Sequence, residues 1–110
     1  MALDTEKLTS DIKAAIAIAI RKDVAFVDSL DTKPLKKIVR QAANTAFAIK
    51  HSRITGETRD FLLSTLRQTM TESAHSIPGI DESMAHRATQ ALSVVVFKAI
   101  SDATGTEIKL

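Results

Sequence analysis

Apolar residues recur along the first part of the chain at intervals of three and four, the spacing that places side chains on one face of a helix. This pattern predicts a first helix over residues 6–27. Its apolar stripe consists of Leu8, Ile12, Ile16, Ala19, Ile20, Val24 and Val27. Alternate residues from Ile12 to Ile20 are also apolar, as they would be in a strand. The length of the segment and its many alanines favour the helix.

Three more amphipathic segments follow, separated by residues that interrupt or begin helices. The predicted helices span residues 34–50, 57–76 and 82–104. Gly56 is the expected turn residue before the third helix, and Pro34 fits a first helical turn, where its missing N–H would have no partner. Asp81 is the expected N-cap of the fourth helix, and Gly105 stands where a terminating glycine would lie.

The starts of the first two helices have less definite capping residues. Thr5 or Thr9 is the expected N-cap of the first helix, and Asp31 or Thr32 is the expected N-cap of the second. Four helices with short connections predict an all-α fold, a four-helix up-down bundle. The chain length suits a single helical domain over residues 1–110.

Composition is consistent with a packed domain that has no disulfides. Hydrophobic residues make up 45% of the chain, and the absence of Cys excludes disulfides, thiolate metal sites and Cys nucleophiles. The longest apolar run near the N-terminus, Ala14 to Ile20, has seven residues, whereas a membrane span needs about 20. Asp4 and Glu6 lie where a secretion signal carries positive charge. We expect no membrane span, no cleaved signal and a cytoplasmic location.

The sequence has no pattern that predicts catalysis, a metal site or a bound cofactor. Glu72 and His75 have the Glu-x-x-His spacing of di-metal carboxylate bundles, but such sites need two copies and further inward carboxylates. Glu72 also falls on the side of its helix away from the apolar stripe. His86 is an isolated histidine on a polar helix face, and such a histidine is usually an exposed residue with no catalytic role. The three glycines are too widely spread to form a phosphate loop.

Positive charge is concentrated in the first half of the chain. Residues 1–55 carry ten Lys/Arg and six Asp/Glu, whereas residues 56–110 carry five and seven. Much of the excess lies in a group that we call the basic strip, continued by Asn44 on the same helix face. The basic strip consists of Lys33, Lys36, Lys37, Arg40, Phe47, His51 and Arg53. Its spacing predicts one face of the second helix, which either binds a polyanion or is simply the solvated face of an amphipathic helix.

The first and fourth predicted helices are apolar almost all round in their middle sections. Ile18 faces away from Ile16 and Ile20, and the run from Val94 to Phe97 spans about 300° of a helix. Two explanations remain open. These helices form the centre of the fold, or Ile18, Val94 and Phe97 cover a contact between subunits.

The function that this sequence favours is a non-enzymatic interaction or assembly module, which acts through self-association and partner binding. The alternative is a binder of nucleic-acid backbone or another polyanion through the basic strip. An enzyme is the least favoured class, because none of the reactive constellations is complete. We expect a homo-oligomer, with a protein or nucleic acid as the possible further partner.

Overall fold

The computed structural model describes residues 3–30, 33–51, 54, 56–106 and 108. Within these residues the chain forms five helices and no strand, so the predicted all-α bundle is confirmed with one helix more than expected. The helices are α1 (Thr5–Ile20), α2 (Val24–Asp28), α3 (Lys33–His51), α4 (Gly56–His75) and α5 (Glu82–Thr104).

The additional helix arises because the first predicted helix is broken after Ile20. Arg21 adopts a left-handed conformation with φ 57°, and Asp23 begins α2 by accepting a hydrogen bond from the Phe26 N–H at 2.9 Å. The prediction of one helix over residues 6–27 was therefore wrong. Of the two stripe residues after the turn, Val27 is fully buried, whereas Val24 is 45% exposed, so only part of the predicted stripe still faces the core. Periodicity alone could not reveal the break, because the apolar spacing of three and four continues across it.

The three later helices begin and end close to their predicted bounds. The Asp81 carboxylate accepts a hydrogen bond from the Met84 N–H at 2.8 Å, which confirms the predicted N-cap of α5. Gly105 ends α5 in the left-handed region, as predicted, with φ 69°. Pro34 lies in the first turn of α3, and Gly56 begins α4 with φ 62°, a conformation that glycine adopts without strain.

The N-cap predictions for the first two helices have different outcomes. Asp4 caps α1 by accepting a hydrogen bond from the Lys7 N–H at 3.1 Å. Thr9 instead donates to the Thr5 carbonyl inside the helix, so neither threonine is the cap. Asp31 and Thr32 lie outside the described residues.

The helix α5 lies at the centre of the bundle. In the described part of the chain it contacts α1, α3 and α4, whereas α1 and α4 do not touch each other. Near the start of α5, Arg87 Nε donates to the Ala19 carbonyl near the end of α1, at 3.3 Å. Contact with three long helices explains why α5 is apolar on most of its circumference, and Leu92, Val96 and Ile100 are fully buried.

Candidate interaction surfaces

A shallow groove runs between α1 and α5, and we call it the α1–α5 groove. Its apolar surface is formed by small and branched side chains from both helices, with Leu3 and Leu8 at one end. Those side chains belong to Ala14, Ala15, Ile18, Val94, Val95, Ala99 and Ala103. Charged residues lie along the rest of it, namely Asp4, Lys7, Asp11, Lys98 and Asp102.

Two of the three predicted contact residues are strongly exposed in this groove. Ile18 is 80% exposed and Val94 is 53% exposed. Ile18 is exposed because it lies about 200° round α1 from both Ile16 and Ile20, which face the core. The structure therefore brings Ile18 and Val94 together on one surface of the molecule.

Phe97 does not belong to this exposed surface, contrary to the expectation from the sequence. It is only 2% exposed and is part of the hydrophobic core. The guanidinium carbon of Arg67, on α4, lies 5.4 Å from the centre of the Phe97 ring. Helix α4 thus covers the side of α5 that carries Phe97, whereas no helix in the described part of the chain covers Val94.

Charge is unevenly distributed along the α1–α5 groove. Lys7 and Asp11 lie one turn apart near the start of α1, with 4.0 Å between Lys7 Nζ and Asp11 Oδ2. Both side chains are at least half exposed, so this ion pair adds little stability. The apolar pair of Ile18 and Val94 lies farther along, beyond Ala14 and Val95. One part of the groove is consequently charged and the other is apolar.

The basic strip lies on one exposed side of α3, as its spacing predicted. Lys33, Lys36, Lys37 and Arg40 are all exposed, and α3 contains no acidic residue. Arg53 lies outside the described residues.

An aromatic pair lies near the C-terminal end of the strip. The side chains of Phe47 and His51 are one turn apart, with 4.4 Å between their ring centres and 35° between their planes. Phe47 is 64% exposed. The strip therefore presents a row of cations followed by an aromatic surface that a flat ligand group could stack on.

A third feature, an apolar cleft beside the connection between α4 and α5, was not predicted. It is lined by Val27, Leu30, Pro34, Leu35, Ile77 and Pro78 among others, and has a volume of about 320 Å³. The only sequence signal near it was the run Ile77-Pro-Gly-Ile80, which indicates a helix break and not a cavity.

The remaining histidines, His75 and His86, both lie at the surface. His75 Nδ1 lies 2.8 Å from the Thr71 carbonyl oxygen of its own helix, and Glu72 accepts a hydrogen bond from Gln68 at 3.4 Å. His86 is exposed on α5. Among the described residues there is no group of three or more His, Cys, Asp or Glu side chains that could hold a metal ion.

Comparisons with known proteins do not place the chain in a family. No protein-family profile matches the sequence, and neither the curated proteins nor the solved structures include a significant match. None of the helices in the described ranges is long and apolar enough to cross a lipid bilayer. The exposed surfaces of the bundle are therefore the only features of the described residues that point to a function.

Proposed function

We propose that this protein is a non-enzymatic assembly module that self-associates through the α1–α5 groove. The observation that carries the proposal is the exposure of Ile18 and Val94 in the apolar part of one groove. Fully burying an exposed large aliphatic side chain is worth about 1.5–3 kcal/mol, of which Ile18, at 80% exposed, could gain most and Val94, at 53% exposed, about half. Self-association in a cytoplasmic setting, followed by binding of a protein partner, is the role that we assign to it.

The charge pattern favours a particular arrangement of two copies. In a two-fold contact each residue near the axis lies opposite its own counterpart. An axis near Lys7 or Lys98 would place like charges together, which costs energy. An axis near Ile18 and Val94 places apolar surface against apolar surface and leaves the charges at the rim. We therefore place the axis at the apolar part of the groove.

Single-cysteine variants test this arrangement directly, because the natural chain has no Cys. A residue next to a two-fold axis lies close to its counterpart in the other copy, and a disulfide requires about 4.4–6.8 Å between the two Cα atoms. We expect Ile18→Cys or Val94→Cys to form a covalent dimer rapidly under mild oxidation.

Phe61→Cys is the matched control, since Phe61 is an apolar residue on α4 that is 69% exposed and does not line the groove. It should cross-link much more slowly than the two groove variants. Equal rates for all three variants would mean that the dimers form by random collision, and the proposed contact would be wrong.

A second candidate function, polyanion binding by the basic strip, is supported by the exposed Phe47–His51 pair at the end of a row of cations. Lysines and arginines release counterions when they neutralise phosphates, and aromatic rings provide a surface for bases to stack on. This combination favours single-stranded nucleic acid over a simple polyanion.

The test uses a single-stranded oligonucleotide and fluorescence anisotropy at several salt concentrations. We expect affinity to fall steeply with salt, and we expect Lys36→Glu combined with Arg40→Glu to abolish binding. Lys7→Glu combined with Lys98→Glu changes net charge equally on another face and should bind far better. Binding that does not depend on salt, or no binding at low salt, would exclude this function.

A further inference from the structure

The apolar cleft lies where two connections of the bundle approach each other. Leu30 and Pro34 line it from the side of α2 and α3, and Ile77 and Pro78 line it from the turn after α4. The backbone of α2 lies close to that of α1 alone among the described helices, and Val27 of α2 is one of the residues that line the cleft. The cleft is a concave surface over the core, and Leu92 contributes to its floor.

The lining of the cleft is almost entirely hydrocarbon. Its polar members are Ser73, in the last turn of α4, and Ser76, which directly follows α4. The Ser76 hydroxyl already donates to the Ser73 carbonyl at 2.7 Å, which satisfies its donor. A ligand group inside the cleft would thus meet mainly CH₂ and CH₃ groups, so an alkyl chain fits better than a sugar or a nucleobase.

The mouth of the cleft is more polar and contains more positive than negative charge. A neighbouring groove shares Pro34, Ser73 and Ser76 with the cleft and extends to Lys33 and Lys37 on α3.

Glu72, on α4, is the one carboxylate among the residues of that groove. The amide end of α3 also lies here, since Lys33 is its first residue, and the helix dipole favours an anion at that end. An apolar interior beside this mouth complements a molecule that has one alkyl chain and one anionic head.

We propose that the cleft binds a free anionic amphiphile, a medium-chain carboxylate, with its chain against Leu30, Leu35 and Ile77 and its head group at Lys37. The volume of about 320 Å³ is at the low end for small-molecule sites, which favours a single medium-length chain over a two-chain lipid. The site shares no residue with the α1–α5 groove, so it is independent of self-association.

Isoleucine methyl NMR with sodium decanoate, kept below its micelle concentration, locates the site. We expect saturable shifts for Ile16 and Ile77, which line the cleft, and none for Ile49 and Ile100, which do not. Shifts that affect all four residues equally, or no shifts at all, would overturn the proposal.

The head-group assignment is tested by changing the charge on each partner. We expect Lys37→Gln to weaken decanoate binding about three- to fivefold, the effect of losing one exposed charge contact. Lys36→Gln is the matched control, because Lys36 is an exposed neighbour that does not line the cleft or its mouth. Decanol should bind more weakly than decanoate, and decylammonium should bind most weakly. Equal binding of the three ligands would contradict the anionic site.

Two further measurements distinguish a free amphiphile in the cleft from the anionic lipids of a membrane surface. Ser73→Phe should fill the cleft and abolish decanoate binding while the helical circular dichroism is retained. If that variant fails to fold, the methyl shifts of the natural protein still show whether decanoate binds in the cleft. Vesicles of phosphatidylglycerol should not bind the protein. Vesicle binding that Ser73→Phe leaves intact would indicate a membrane surface instead and would overturn the proposal.

Discussion

At the scale of single residues, the conformation of Arg21 determines where the first helix ends. Arg21 has φ 57°, and the N–H groups of Arg21 and Lys22 donate to the Ile18 and Ala17 carbonyls at 3.2 and 2.9 Å. These bonds satisfy two of the last four carbonyls of α1, and Arg87 donates to a third, that of Ala19. A residue with a Cβ atom pays about 1–2 kcal/mol for this left-handed conformation.

Arg21→Gly should therefore stabilise the protein. Glycine removes the Cβ clash but loses more backbone entropy on folding, so we expect a net gain of about 0.5–1 kcal/mol in the free energy of unfolding. Urea denaturation followed by circular dichroism measures this change. Arg21→Ala is the control and should show no gain, because alanine keeps the Cβ atom. A gain of the same size in both variants would mean that the arginine side chain, and not the backbone, causes the strain.

The difference in burial between Phe97 and Val94 leads to a second prediction at the residue scale. Phe97→Ala should lower the free energy of unfolding by about 3–5 kcal/mol, because it leaves a cavity between α4 and α5. Val94→Ala should change it by no more than about 0.5 kcal/mol when measured on dilute protein, since Val94 is half exposed. Comparable losses in the two variants would place Val94 in the monomer core.

At the scale of secondary-structure elements, α2 is the described helix with the fewest stabilising contacts. It has five residues, contacts only α1 among the described helices, and is joined to α1 by an ion pair of 3.0 Å between Lys13 Nζ and Asp28 Oδ1. Asp28 is half exposed, so the pair contributes little. The Asp23 cap and the burial of Val27 therefore hold this helix in place.

Removing that cap should unfold α2 selectively. We expect Asp23→Ala to cost about 1 kcal/mol, whereas Asp23→Asn, whose side chain also accepts the capping bond, should cost much less. Amide hydrogen exchange at Phe26 and Val27 should accelerate in the alanine variant and stay slow in the α5 core. If exchange accelerates equally throughout, α2 unfolds only with the whole protein.

At the scale of the whole molecule, the oligomeric state is the property that tests the proposed assembly function. Ligands and subunits that bind only the folded form stabilise it by mass action, so the Tm of a self-associating protein rises with protein concentration. We expect this rise for the natural chain, and a dimer or larger species by light scattering at high micromolar concentration.

Ile18→Lys or Val94→Lys should give monomers that keep their helical circular dichroism and lose the concentration dependence of Tm. Val24→Lys is the control, because Val24 is a 45% exposed apolar residue that does not line the α1–α5 groove. It should remain associated. A natural protein that scatters light as a monomer at high micromolar concentration would remove the basis of the proposed function.

The sequence by itself determined the all-α class, the bounds of three long helices and the caps at Asp81 and Gly105. These features depend on local periodicity and on the chemistry of one or two residues at each helix end. The basic strip was predicted for the same reason, since residues three and four apart share a helix face whatever the rest of the fold does.

Only the tertiary structure decided which apolar residues are covered and which are exposed. Val94 and Phe97 lie in one apolar run, but α4 packs over Phe97 and leaves Val94 at the surface. The apolar cleft likewise forms from segments that are distant in the chain, near Leu30 and Ile77. Periodicity states which face of a helix is apolar, whereas burial depends on which neighbouring helices lie against that face, and this is set by contacts between distant parts of the sequence.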